Sequence, residues 1–114
     1  MNNLDTSPWG NYKVLLDTEE SKVKLISVLP GKRMSYQSHK MRSEQRTVIK
    51  GHLTIILENK EQELETGDSI FIPKESKHRA WNKTNEIVKF IEVQTGSYFG
   101  EDDITRYEDD FNRL

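Results

Sequence analysis

Along much of the chain, apolar and polar residues alternate with a period of two, the pattern of half-buried strands. In VKLISVL, Val23, Leu25, Ser27 and Leu29 share one face and Lys24, Ile26 and Val28 the other, before Pro30-Gly31 forces a turn. Thr47-Val48-Ile49 runs up to Lys50-Gly51 and LTIIL restarts at Leu53, which predicts a hairpin bent near Gly51. Asn59-Lys60 separates LTIIL from the alternating EQELE. Thr66-Gly67-Asp68 then precedes a short, buried-type strand, Ser69-Ile70-Phe71-Ile72, stopped by Pro73. His78 to Trp81 and Val88 to Val93 complete the set. About six to nine short strands with almost no helical periodicity predict an all-β sandwich or small barrel. The closing GEDDITRYEDDFNRL breaks the alternation. Its Asp102-Asp103-Ile104 carries acids suited to the first turn of a short helix, the other expectation being an irregular acidic tail.

Composition narrows the picture. A chain of 114 residues, 33% hydrophobic and 32% charged, is expected to form one domain around one core, with the barrel over about residues 12–95 and the tail over 96–114. A net charge of −2 with scattered Lys and Arg gives no basic stripe for nucleic acid or a membrane surface. There is no cysteine, so disulfides are excluded and a metal would need N and O ligands. No apolar run approaches the ~18 residues of a membrane helix, and MNNLDTSPWG lacks a signal peptide's apolar segment. The expected location is the cytoplasm.

Candidate chemistry begins in SYQSHKMRSEQ, residues 35–45, which holds one of the three histidines. Gly31, Gln37, His39, Glu44 and Gly51 fall in order at the spacing G-x5-(H)-x-H-x4-E-x6-G, and Gly67, Pro73, His78 and Asn82 at G-x5-P-x-(G)-x2-H-x3-N. These resemble the two motifs of the cupin superfamily, with Gln37 at the first histidine and Glu75 at the glycine after the proline. The resemblance implies a double-stranded β-helix (jelly-roll) barrel with a metal held by Gln37, His39, Glu44 and His78. Strand geometry agrees, because Gln37 and His39, two apart, project from one face. Such a mixed N/O set suits one Zn, Mn, Co, Ni or Fe ion per chain. A lone strand histidine is otherwise most often a hydrogen-bonded packing residue, and His52, just after the Gly51 bend, reads as a surface turn residue.

A closer resemblance runs from Pro8-Trp9-Gly10-Asn11-Tyr12 almost to the C-terminus. It takes in Lys22-Val23-Lys24, Pro30-Gly31, Gln37-x-His39 with Arg42 and Glu44, Ile72-Pro73 and Lys77-His78-Arg79. It is strongest over IEVQTGSYFGEDDITRYEDDF, residues 91–111. The chain is similar to the type II phosphomannose isomerase domain, usually the C-terminal part of bifunctional guanylyltransferase/isomerases and here expected to stand alone. That family commonly carries glutamine at the position of Gln37. It usually has His-Trp and a histidine run where this chain has Gln45-Arg46 and Lys40-Met41.

The resemblance implies interconversion of mannose 6-phosphate and fructose 6-phosphate, and a sugar phosphate as the small-molecule partner. The alternative is a non-catalytic cupin that binds a phosphosugar or sugar nucleotide. Glu92 shares a strand face with Gln94, so it is the candidate general base if that face lines the lumen, and a structural salt-bridge partner if not. Arg42, between two ligands, is the first candidate for substrate binding or stabilisation of an enediolate, with Arg106 and Lys89 next for the phosphate. Arg79 should point away from His78, to the outside. A homodimer is expected, since an exposed edge strand favours self-association.

Overall fold

The computed structural model describes residues 4–114, and among them there is no helix. The strands are β1 (Leu4–Ser7), β2 (Gly10–Asp17), β3 (Ser21–Val28), β4 (Tyr36–Ser38), β5 (Arg42–Lys50), β6 (Leu53–Leu57), β7 (Lys60–Leu64), β8 (Ser69–Ile72), β9 (His78–Trp81), β10 (Val88–Gly96) and β11 (Thr105–Glu108). They form a six-stranded sheet, β1-β2-β3-β10-β5-β8, facing a five-stranded sheet, β11-β4-β9-β6-β7. Every pairing is antiparallel.

The expected turns at Pro30-Gly31, Asn59-Lys60 and Thr66-Gly67-Asp68 are present, and Glu58 and Asn59 take positive φ (47° and 65°) at the tight β6–β7 bend. Two expectations are corrected, and of the two given for the tail the helix does not form. The predicted hairpin at Gly51 does not exist: β5 pairs with β10 and β8, whereas β6 pairs with β7 and β9. Gly51 (φ 93°) instead carries the chain from one sheet to the other, which lets both Val48 and Leu53 reach the shared core. Strand β8 is a sheet edge with Phe71 exposed, not a buried strand. The tail forms turns and β11 rather than a helix. The Asp103 carboxylate accepts the backbone N–H groups of Lys40 and Met41 (both 2.9 Å), so it fastens the tail to the barrel rather than opening a helical turn.

The inward faces of β3, β5 and β10 change character along their length. At one end Phe90 lies between Ile26 and Val48, and these pack with Trp9, Val28, Leu53, Ile55, Ala80 and Val88 into the core. Two residues further along β10, Glu92 lies between Lys24 and Arg46, and the next inward residue, Gln94, lies opposite Glu44. Alternation places all of these inside, so the apolar layer gives way to a charged one on the same strands. Lys24, Arg42, Glu44, Arg46, Glu92 and Gln94 are each no more than 4% exposed. Buried charges persist only when paired or awaiting a partner, so this end of the barrel is where chemistry is expected.

Candidate metal centre

His39 follows β4, Glu44 lies on β5 and His78 opens β9, where its Cα pairs with that of Gln37. Their ligand atoms all lie within 4.8 Å of one another, and all three residues are buried. His39 Nδ1–H donates to the Asp103 carbonyl (2.7 Å) and His78 Nδ1–H to the Ser76 carbonyl (2.9 Å). A carbonyl can only accept, so each ring carries a proton on Nδ1 and turns its Nε2 toward Glu44. Neither Nε2 has a hydrogen-bond partner among the described residues. His39 Nε2 faces Glu44 Oε2 at 3.6 Å and His78 Nε2 faces Glu44 Oε1 at 3.4 Å.

Burial drives the His39 ring down to about 4, so it is neutral near pH 7. Burial alone would raise Glu44, but Arg46 beside it holds the carboxylate well below its usual range. Two imidazole nitrogens turned on an ionised carboxylate, with the three ligand atoms all within 4.8 Å of one another, form a donor set that a cation between them would satisfy. The backbone carbonyls behind both rings are the supports that metal-binding histidines use. The residues therefore fit a divalent metal.

Gln37 is buried on the same cavity, and its Oε1 accepts the Ser35 hydroxyl at 2.6 Å. The cavity, of about 80 Å³, is lined also by His39, Arg42, Glu44, Glu92 and Arg106. Arg42 donates from Nη1 to the Gly100 carbonyl (2.9 Å), and its Nε stands 3.6 Å from Glu44. The Nε atoms of Arg42 and Arg106 are both buried without a hydrogen-bond partner among the described residues.

Two placements differ from expectation. Lys89 lies on the opposite face of β10 from Glu92 and Gln94 and does not line the cavity. Arg79 does face away from His78, yet it is only 3% exposed, because Glu108 of the tail and the Met34 carbonyl cover it.

Sequence reasoning missed Arg46 and Lys24. Arg46 donates from Nη2 to Glu44 Oε1 and Glu92 Oε2 (both 2.9 Å) and from Nε to Glu92 Oε2 (3.1 Å). Its position two beyond Glu44 was the available signal. Lys24 pairs with Glu101 at 2.8 Å and lies over the Tyr12 ring. Burial, then Glu44, raises Glu92, while Gln94 Nε2 donates to both carboxylates (2.9 Å each). The second motif's asparagine has a structural part. Asn82 donates to the carbonyls of Val28 and Glu86 and accepts from Thr84, which closes the loop before β10.

Two facing antiparallel sheets with histidines and a carboxylate gathered inside one end define a cupin, a double-stranded β-helix protein. A conserved protein with a double-stranded β-helix domain from Klebsiella pneumoniae superposes with a TM-score of 0.74 at 25% identity, covering 84% of this chain and 82% of that one. Residues 3–109 match the family described as mannose-6-phosphate isomerase C-terminal, and the chain belongs to that family. Its relatives include the alginate biosynthesis protein AlgA of Pseudomonas aeruginosa, 41% identical over 93% of this chain and 22% of that protein. A mannose-1-phosphate guanylyltransferase of Sinorhizobium fredii is 37% identical over 90% of this chain and 20% of that protein. The chain thus spans about a fifth of the length of these curated relatives.

Proposed function

We propose that this chain is a metal-dependent aldose–ketose isomerase that interconverts mannose 6-phosphate and fructose 6-phosphate. The observation that carries the reading is the pair of bare imidazole nitrogens, His39 Nε2 and His78 Nε2, facing Glu44 beside a cavity lined by arginines. Membership in the family described as mannose-6-phosphate isomerase C-terminal supports a sugar phosphate as substrate. Gln37, His39, Glu44 and His78 would hold the ion, which when bound stabilises negative charge developing on the substrate's O1 and O2.

The protein's own groups do the rest. Glu92, made more basic by burial and by Glu44, takes the proton from C2 and returns it to C1, while the O2 hydroxyl proton passes to O1. Arg42 and Arg106 turn unpartnered N–H donors toward the anionic substrate, Arg106 at the phosphate and Arg42 nearer the reacting oxygens. A second reading, a non-catalytic phosphosugar-binding cupin, draws on one observation: both Glu92 oxygens already accept hydrogen bonds, from Arg46 and Gln94.

An isomerase assay on protein reloaded with Mn, Co or Zn separates the two. Turnover of mannose 6-phosphate that is lost in His39→Ala is expected. Tight sugar-phosphate binding without turnover under any of these metals would establish the second reading instead.

A further inference from the structure

The site contains a cation that the ligand set does not require. Arg46 is 1% exposed, and one of its amino groups, Nη2, touches Glu44 and Glu92 at the same time. Among the described residues the hydrogen-bond donors reaching Glu92 come from Arg46 and Gln94, and both of its oxygens accept, which is the pattern of an ionised carboxylate. Glu44, Arg46 and Glu92 therefore form a closed unit of net charge −1 directly behind the two bare histidine nitrogens. Arg42, with its Nε 3.6 Å from Glu44, and the Lys24–Glu101 pair complete the charged surroundings.

We propose that Arg46 sets the strength of this metal centre: its buried guanidinium, clamped between Glu44 and Glu92, opposes the incoming divalent cation and holds affinity below that of the same ligands without the clamp. The inference rests on the metal-centre part of the functional reading and not on any turnover.

Two effects compete. Arg46 orients Glu44, and loss of an outer partner of a metal ligand commonly weakens binding about 10–100-fold. Gln94 still fixes the second oxygen of Glu44 when Arg46 is removed, so orientation is only partly lost. Charge acts in the other direction. A unit positive charge beside Glu44, among side chains no more than 4% exposed, is weakly screened from an ion that Glu44 would hold. Removing it also frees Glu92 as a second uncompensated carboxylate. Charge is therefore the larger effect, and the cluster's net charge orders the variants: −2 in Arg46→Met, −1 in the wild type and 0 in Glu92→Gln.

The test is calorimetric titration of the metal-stripped full chain with Co²⁺, supported by the visible absorption of the bound ion. Arg46→Met should bind Co²⁺ about 10-fold or more tightly than the wild type, and Glu92→Gln about 10-fold or more weakly. A variant Arg46→Met that folds only when Co²⁺ is added gives the same support, since the ion would then replace the missing counter-charge. Arg46→Lys, which keeps the charge but cannot fork between two carboxylates, should stay within about threefold of the wild type. Weaker binding in Arg46→Met, or unchanged binding in Glu92→Gln, overturns the proposal and leaves Arg46 a structural brace. A chain that binds Co²⁺ in this order yet never turns over mannose 6-phosphate refutes the isomerase reading alone.

Discussion

Glu75 shows how a single residue departs from the pattern around it. It occupies the position that cupins give to glycine, and it holds φ at 67°, where a side chain is strained. Its N–H donates to the His39 carbonyl at 2.7 Å, so the strained turn also fixes the backbone of a ligand. Glu75→Gly should relieve the strain at some cost in unfolded-chain entropy, for a net gain of about 1 kcal/mol in urea unfolding with cobalt affinity unchanged. A loss of stability would mean that the Glu75 side chain contributes more than its backbone costs. At this scale the sequence was informative wherever parity had an anchor. Gln37, His39 and Glu44 could be placed because strand period and motif spacing agreed. Lys89 could have been set aside, since it lies three residues from Glu92 and odd spacing puts the two on opposite faces. Arg46 was visible by the same rule, two beyond Glu44.

The tail is the element whose behaviour was least legible. Its acids suited a short helix or an irregular tail, yet three of them find partners far away in sequence: Glu101 on Lys24, Asp103 on the amides of Lys40 and Met41, and Asp110 on Arg33. No local pattern encodes such contacts, and the same limit explains the false hairpin at Gly51, because alternation reveals a strand but not its neighbour. The Arg113 hydrogen bond lowers Asp109 to about 2, and that of Arg33 lowers Asp110. Burial opposes ionisation of Asp103 and Glu101, but the amides and Lys24, respectively, lower both. A carboxylate with a depressed folded-state value contributes stability that is complete above its unfolded value and fades as pH falls. The tail should therefore loosen between about pH 4.5 and pH 2. Hydrogen exchange at the Lys40 and Met41 amides should accelerate over that range, ahead of the core amide of Phe90; simultaneous loss would show that the tail and barrel unfold as one. Asp103→Ala should cost about 1–3 kcal/mol and weaken metal binding about 10-fold, because freeing the segment from the Lys40 and Met41 amides also shifts the backbone carbonyl of residue 103 that holds the His39 ring.

Across the whole molecule, one set of strands carries both the core and the chemistry. The layer of Phe90, Ile26 and Val48 is apolar, and two residues along the same strands the layer of Glu92, Lys24 and Arg46 is charged. Because the core lies apart from the ligands, losing a ligand should leave the fold intact, and binding of an ion should add stability by mass action. Zinc at 100 times its dissociation constant should stabilise the wild type by about 2.7 kcal/mol, seen as a raised thermal midpoint, and His78→Ala should show no shift. An equal shift in His78→Ala would place the ion elsewhere. The overall class was legible because strand alternation and motif spacing recur along nearly the whole chain, whereas the chemistry depends on which charges meet inside. The most direct test of that chemistry is proton NMR of mannose 6-phosphate incubated in D₂O with the metal-loaded chain. Fructose 6-phosphate should appear, with deuterium entering at C1 wherever the transferred proton exchanges with solvent, and neither should appear with His39→Ala. Mannose 6-phosphate left unchanged by a folded, metal-loaded chain would contradict the account.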